Sequence, residues 1–172
     1  MKRPPTIQST VAAATLAAFG LLASCCTGDP TGAPELRPGR DQCAECGMII
    51  NEGRFASALR VVRDGRAEDL LFDDIGCMLN FEREPDRPAV TARFVHDHAA
   101  GRWIDGDTAV YLMADRDRLS TPMGSGIVAF AERAAAERAA REHDGRLHDY
   151  PAIAAARKAW MEERYGKPPA GR

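Results

Sequence analysis

No apolar run in this 172-residue chain is long enough to act as a membrane-spanning stop-transfer helix. The longest, residues 11–22 (VAAATLAAFGLL), falls short of the roughly 20 residues that a spanning helix needs. Nor is there an excess of positive charge. The chain has 23 basic and 25 acidic side chains, and without residues 1–24 it would carry 21 and 25, or −4. That balance argues against a nucleic-acid partner. No second close pair of Cys or His follows the CxxC at Cys43 and Cys46, whereas a structural zinc site ordinarily takes four ligands in two such pairs. Paired catalytic groups are missing as well. Asp73 and Asp74 are adjacent, neighbours at a helix start do not face each other, and both are expected to be caps. Turnover chemistry is therefore not expected.

What is present begins with an export signal. Lys2 and Arg3 precede the apolar run, which is the order of a secretory signal peptide. Leu22-Ala23-Ser24-Cys25 resembles the bacterial lipobox, an aliphatic residue and two small ones before Cys. Residues 1–24 are thus expected to be removed and Cys25 to be lipidated, leaving the protein on the periplasmic face of a bacterial membrane. Cys26 is out of register for that role. Residues 27–40 hold three Pro and three Gly and are expected to be a tether within a lipidated 25–40 segment. The folded domain is placed at 41–165 and a disordered tail at 166–172.

Within the domain, Asp64-Gly65 lies between β-leaning runs and predicts a hairpin. Asp73-Asp74 precedes a short helix pattern, DDIGCMLNFERE, stopped by Pro85 and Pro88. AVTARFVHDH is a predicted strand, and RWIDGDTAVYLMAD continues as short strands. TPMGSG is a predicted loop. Ala, Glu and Arg make IVAFAERAAAERAAREH a predicted helix from its first residue. A further helix follows over DYPAIAAARKAWMEERYG, with Asp149 as cap and Pro151 in the first turn. The class is α+β: two small β/α units, each of short antiparallel strands plus a helix, followed by C-terminal helices.

The chemistry is in the sulfur. Cys43-Ala44-Glu45-Cys46-Gly47-Met48 admits zinc, a redox disulfide or a softer metal. A thioredoxin-like CxxC belongs at a helix start after a strand, whereas this one leaves a Pro/Gly linker. Thiolate and thioether together suit Cu(I). In an extended segment Cys46 and Met48 would face the same way. Met123 sits in the TPMGSG loop, where the backbone is free to form a binding turn. Cu(I) is content with two or three ligands, so one thiolate, one thioether and one imidazole would suffice. His96 and His98 fall on one face of a strand and are the imidazole candidates. Cys77 and Met78, within a helix pattern, are expected in the core.

Four stretches in order carry a family resemblance: the lipobox, CAECGMII, LFDDIGCMLNF and TPMGSGIVAF. The chain from Cys25 to about Ala135 resembles the NosL family of copper-binding lipoproteins accessory to nitrous-oxide reductase. The resemblance implies a monomeric Cu(I) carrier that supplies the reductase or its copper-site assembly machinery by ligand exchange. It implies a Cys, a Met and a His as ligands. Cys46 and Met123 match the motif positions, Met48 is the other motif sulfur, and His96 or His98 is the nearest imidazole, with Cys43 as a helper or disulfide partner. The competing expectations are a zinc- or mercury-handling lipoprotein and a thiol oxidoreductase supporting copper-site assembly.

Overall fold

The structure is a computed structural model, and it describes Met1 and residues 32–166. The expectations for the signal peptide, Cys25, Cys26, residues 25–31 of the tether and residues 167–172 of the tail lie outside the described residues. Among the described residues no helix is long and apolar enough to cross a membrane.

Among the described residues, two antiparallel sheets and three α-helices make up the fold. Strands β1 (Ser57–Arg63) and β2 (Arg66–Phe72) form the predicted hairpin, with Asp64 and Gly65 both at positive φ (51° and 74°). That is the backbone a two-residue turn of matching twist requires. Helix α1 (Ile75–Phe81) follows β2 directly. Asp74 caps it, its Oδ1 accepting from Gly76 N at 2.6 Å. β3 (Ala89–His96) returns beside β1, and β4 (Trp103–Asp105) adds to it, giving the order β2-β1-β3-β4.

The second sheet has the order β6-β5-β7, from β5 (Val110–Met113), β6 (Ile127–Phe130) and β7 (Arg146–His148). Helix α2 (Arg133–His143) joins β6 to β7, and α3 (Tyr150–Tyr165) ends the fold. A parallel bridge between Asp97 and Ala129 ties the two sheets together, and His98 N donates to Ala129 O at 2.8 Å.

Two expectations need correction here. IVAF, taken as the start of a helix, is strand β6, and the helix begins only at Arg133. Ile127 and Ala129 face the main core, while Val128 and Phe130 face a second cluster with Leu112, Leu119 and Ala136 of α2. Each large side chain so buried contributes about 1.5–3 kcal/mol. Helix propensity differs by at most about 0.7 kcal/mol per ordinary residue, so burial decides. A strand buried on both faces has no period-2 signature, which is why its sequence passes for helix. The second correction is β7: RLH was not expected as a strand, yet it pairs with β5 between the two C-terminal helices.

Gly126 closes the 121–126 loop at φ 65°, and a Cβ there would lie 2.2 Å from Ala114 O. Gly126→Ala is expected to lose about 3 kcal/mol of folding stability, through combined backbone strain and overpacking, in urea unfolding.

Candidate metal centre

The site lies where β2 ends and α1 begins. Residues 41–50 form a tight turn laid across that edge, not the extended segment expected. Gln42 bridges Ile49, Cys43 N donates to Met48 O at 2.8 Å, and Gly47 N donates to Cys43 O at 2.8 Å. Gly47 takes φ 73°, which reverses the chain between Cys46 and Met48. Ala44 N donates to Leu71 O at 2.8 Å and fastens the turn to β2. The alternation that would put Cys46 and Met48 on one face therefore does not apply. The turn instead folds Cys46 back over Cys43.

α1 supplies a third sulfur. The Sγ atoms of Cys43, Cys46 and Cys77 all lie within 4.8 Å of one another, and none is in a disulfide. Cys43 and Cys77 are buried, Cys46 exposed. One wall of the cluster is thus the core and the other opens to solvent through Cys46.

The three thiols are electrostatically unequal. A hydrogen bond from the Cys77 thiol draws the Cys43 pKa down to about 5, with help from backbone bonds of Asp73, Cys46 and Glu45 and against the effect of burial. Cys77 is pushed far up by the same bond, then by burial and by the Cys43 charge. Cys46 is raised by burial first, then by hydrogen bonding and charge at Cys43. At neutral pH the cluster is one thiolate cradled by donors and two protonated thiols. Thiolates are the metal ligands, and they are also the soft ones.

Two carboxylates border the cluster. Both were expected to cap, and only Asp74 does. Asp73 is buried, and its Oδ1 has no hydrogen-bond partner among the described residues. Burial, then the Cys43 and Asp74 charges, raise its pKa to about 6. Asp74 is fully buried and bonded on both oxygens: Oδ1 to its own helix, Oδ2 to Thr121 Oγ1 at 2.6 Å and Met123 N at 3.2 Å.

The remaining candidates are Met48, Met123, His96 and His98. Met48 is 54% exposed and Met123 38% exposed, each with its backbone tied to a residue of the cluster's frame. His96 sits edge-on to Trp103 at 4.1 Å between ring centroids, near Gly53. His98 lies between Phe55 (5.5 Å) and Phe130 (5.8 Å), and its pKa is lowered by burial first and then by Arg54. Among the described residues neither imidazole joins the three-thiol group.

Cys77, expected in the core and otherwise only as an added thiol of a zinc site, is buried and also completes the cluster. One sequence signal pointed to it. Asp74 as cap fixes Cys77 in the first turn of a helix separated from β2 by only two residues, beside whatever packs on that strand end.

A family model described as NosL matches residues 37–157. Among solved structures, the chain is similar to the crystal structure of the copper chaperone NosL from Shewanella denitrificans. The two share 18% identity at a TM-score of 0.59, over 69% of this chain and 92% of that one. At that identity the likeness is one of fold. A comparison with curated proteins found no match.

Proposed function

The chain belongs to the NosL family, and from that premise we propose that it is a copper-binding chaperone whose cargo is Cu(I). The observation that carries this reading is the three-thiol cluster of Cys43, Cys46 and Cys77. Three soft donors in a small space suit an ion that accepts two or three ligands, and they suit poorly the hard cations that prefer oxygen.

The burial pattern supports transfer over permanent storage. Cys43 and Cys77 would hold the ion from the core side, and exposed Cys46 would be the first ligand exchanged. Exposed Met48 and Met123 offer thioethers at the rim, weaker ligands than thiolate and so suited to hand-off. His96 and His98 remain candidates for a ligand contributed after movement of the rim. The recipient is nitrous-oxide reductase or its copper-site assembly machinery. The protein works as a monomer held by lipid on Cys25 at the periplasmic face of the membrane. The process is ligand exchange without turnover.

Anaerobic titration of the reduced chain with Cu(I) is expected to saturate at one ion per chain. Cys46→Ser and Met123→Leu are expected to weaken binding by about 10–100-fold. A chain that takes up Zn(II) but no Cu(I), and unfolds when chelated, would instead be a zinc protein. One observation favours a second reading, a thiol oxidoreductase: the low-pKa Cys43 lies beside Cys46. That reading requires disulfide-exchange turnover that disappears in both Cys43→Ser and Cys46→Ser.

A further inference from the structure

We infer that Asp74 is a positioning residue that locks the Met123 loop to the Cys77 helix, so that the thioether is presented to an ion held by the thiols. This rests on the copper reading above and adds a role for a group that no metal would touch.

The geometry is a two-sided latch. Asp74 Oδ1 accepts from Gly76 N at 2.6 Å, and the Asp74 carbonyl accepts from Cys77 N at 2.9 Å, so the residue sets the turn that carries Cys77. Its Oδ2 faces the other way, accepting from Thr121 Oγ1 at 2.6 Å and from Met123 N at 3.2 Å. Thr121 Oγ1 in turn accepts from Ser125 N at 3.0 Å and Gly126 N at 3.3 Å, which closes the loop on itself. Glycine allows the approach: a Cβ on Gly76 would lie 2.5 Å from Ser125 Cβ. Met123 and Cys77, 46 positions apart in the chain, thus both hang their backbone nitrogens on one residue.

The arrangement demands a carboxylate. Both oxygens must accept, because each faces a backbone N–H. Asn has one acceptor and one donor. With its oxygen toward Met123, its NH2 would meet Gly76 N; reversed, it would meet Met123 N. A side chain of the same size can therefore satisfy the helix or the loop, and not both. A carboxylate used only as a helix cap would need no bond to residue 123.

The test uses Asp74→Asn, with Thr121→Val and Thr121→Ser as a pair on the other end of the latch. On the metal-free chain, hydrogen exchange at the Met123 amide is expected to be protected in the wild type and Thr121→Ser and to lose protection in Asp74→Asn. With Cu(I), Asp74→Asn and Thr121→Val are each expected to weaken binding about tenfold, and Thr121→Ser to restore it. The decisive reading is the cycle with Met123→Leu: if the latch acts through the thioether, Asp74→Asn costs nothing further in that background. An equal loss in both backgrounds, or a Met123 amide as protected in Asp74→Asn as in the wild type, overturns the proposal. Failure of the copper reading would show separately, as a wild-type chain that takes up no Cu(I), while the amide protection still judges the latch.

Discussion

Cys43→Ser is expected to weaken Cu(I) binding by about a thousandfold, roughly 4 kcal/mol and more than the loss of any other single sulfur. The reason lies in protonation, since all three sulfurs are close enough to share an ion. Metal binding requires thiolates, and every thiol that still holds its proton must release it. Cys43, held down to about 5, is already ionised at neutral pH. Cys46 and Cys77 are both raised and must lose their protons as the ion arrives. In Cys43→Ser the pre-ionised ligand is gone, and with it the acceptor that orients the Cys77 thiol. Two consequences follow for the wild type when all three sulfurs bind. Uptake at pH 7 should release close to two protons and not three, and log K should climb with pH with a slope near two. Competition against a chromophoric Cu(I) chelator between pH 6 and 8 measures both. A Cys43→Ser chain within a few-fold of the wild type would place the ion elsewhere on this edge.

The local chemistry of turns and caps was legible in the sequence. Asp64-Gly65 had to be a tight turn, and Asp74 and Asp149 had to be caps, because these are short-range preferences that tertiary packing did not override. IVAF was not legible. Its conformation is decided by two cores that exist only once β5, α2 and the first sheet are assembled around it. β7 was hidden for a related reason, since three residues show no periodicity and are strand only because β5 has a free edge.

The site divides along the same line. Cys43 and Cys46 announce themselves by spacing. Cys77, 31 positions after Cys46, looks like any small core residue until the β2–α1 corner carries it under the 41–50 turn. Gly47 matters here more than the thioether beside it. Its positive φ makes CAECGM a turn, and the turn gathers the two thiols while leaving Met48 exposed on the far side of the reversal. Asp73 and Asp74 look identical in sequence. Only packing separates the satisfied latch from the buried carboxylate with an unpartnered oxygen.

The same thiolate should make the metal-free fold more stable as pH rises from neutral toward 9. An unfolded cysteine keeps its proton up to a pKa of 9.0, whereas folded Cys43 has lost its own by about 5. Across that interval the unfolded chain binds one more proton than the folded one, so stability rises with pH, at up to ~1.4 kcal/mol per unit. Below about 5 both forms are protonated and the contribution is gone. Other groups act outside the upper half of this window. Asp73, raised from 3.8 to about 6, costs stability as pH rises between those values and nothing further above them. His98 and His148, both lowered from 6.5, add stability as pH rises toward 6.5 and then stop. Cys77 and Cys46, both raised from 9.0, contribute stability that is complete below 9 and lost as pH climbs beyond it. Between pH 7 and 8 the slope therefore belongs to Cys43, and the optimum falls between 8 and 9, where the two raised thiols begin to oppose it. Urea unfolding of the reduced, metal-free chain at pH 7 and 8 should show a climb of about 1 kcal/mol in the wild type and a flat line in Cys43→Ser. Parallel curves for the two chains would mean that Cys43 is protonated at neutral pH, and the case for it as the dominant ligand would fall with them.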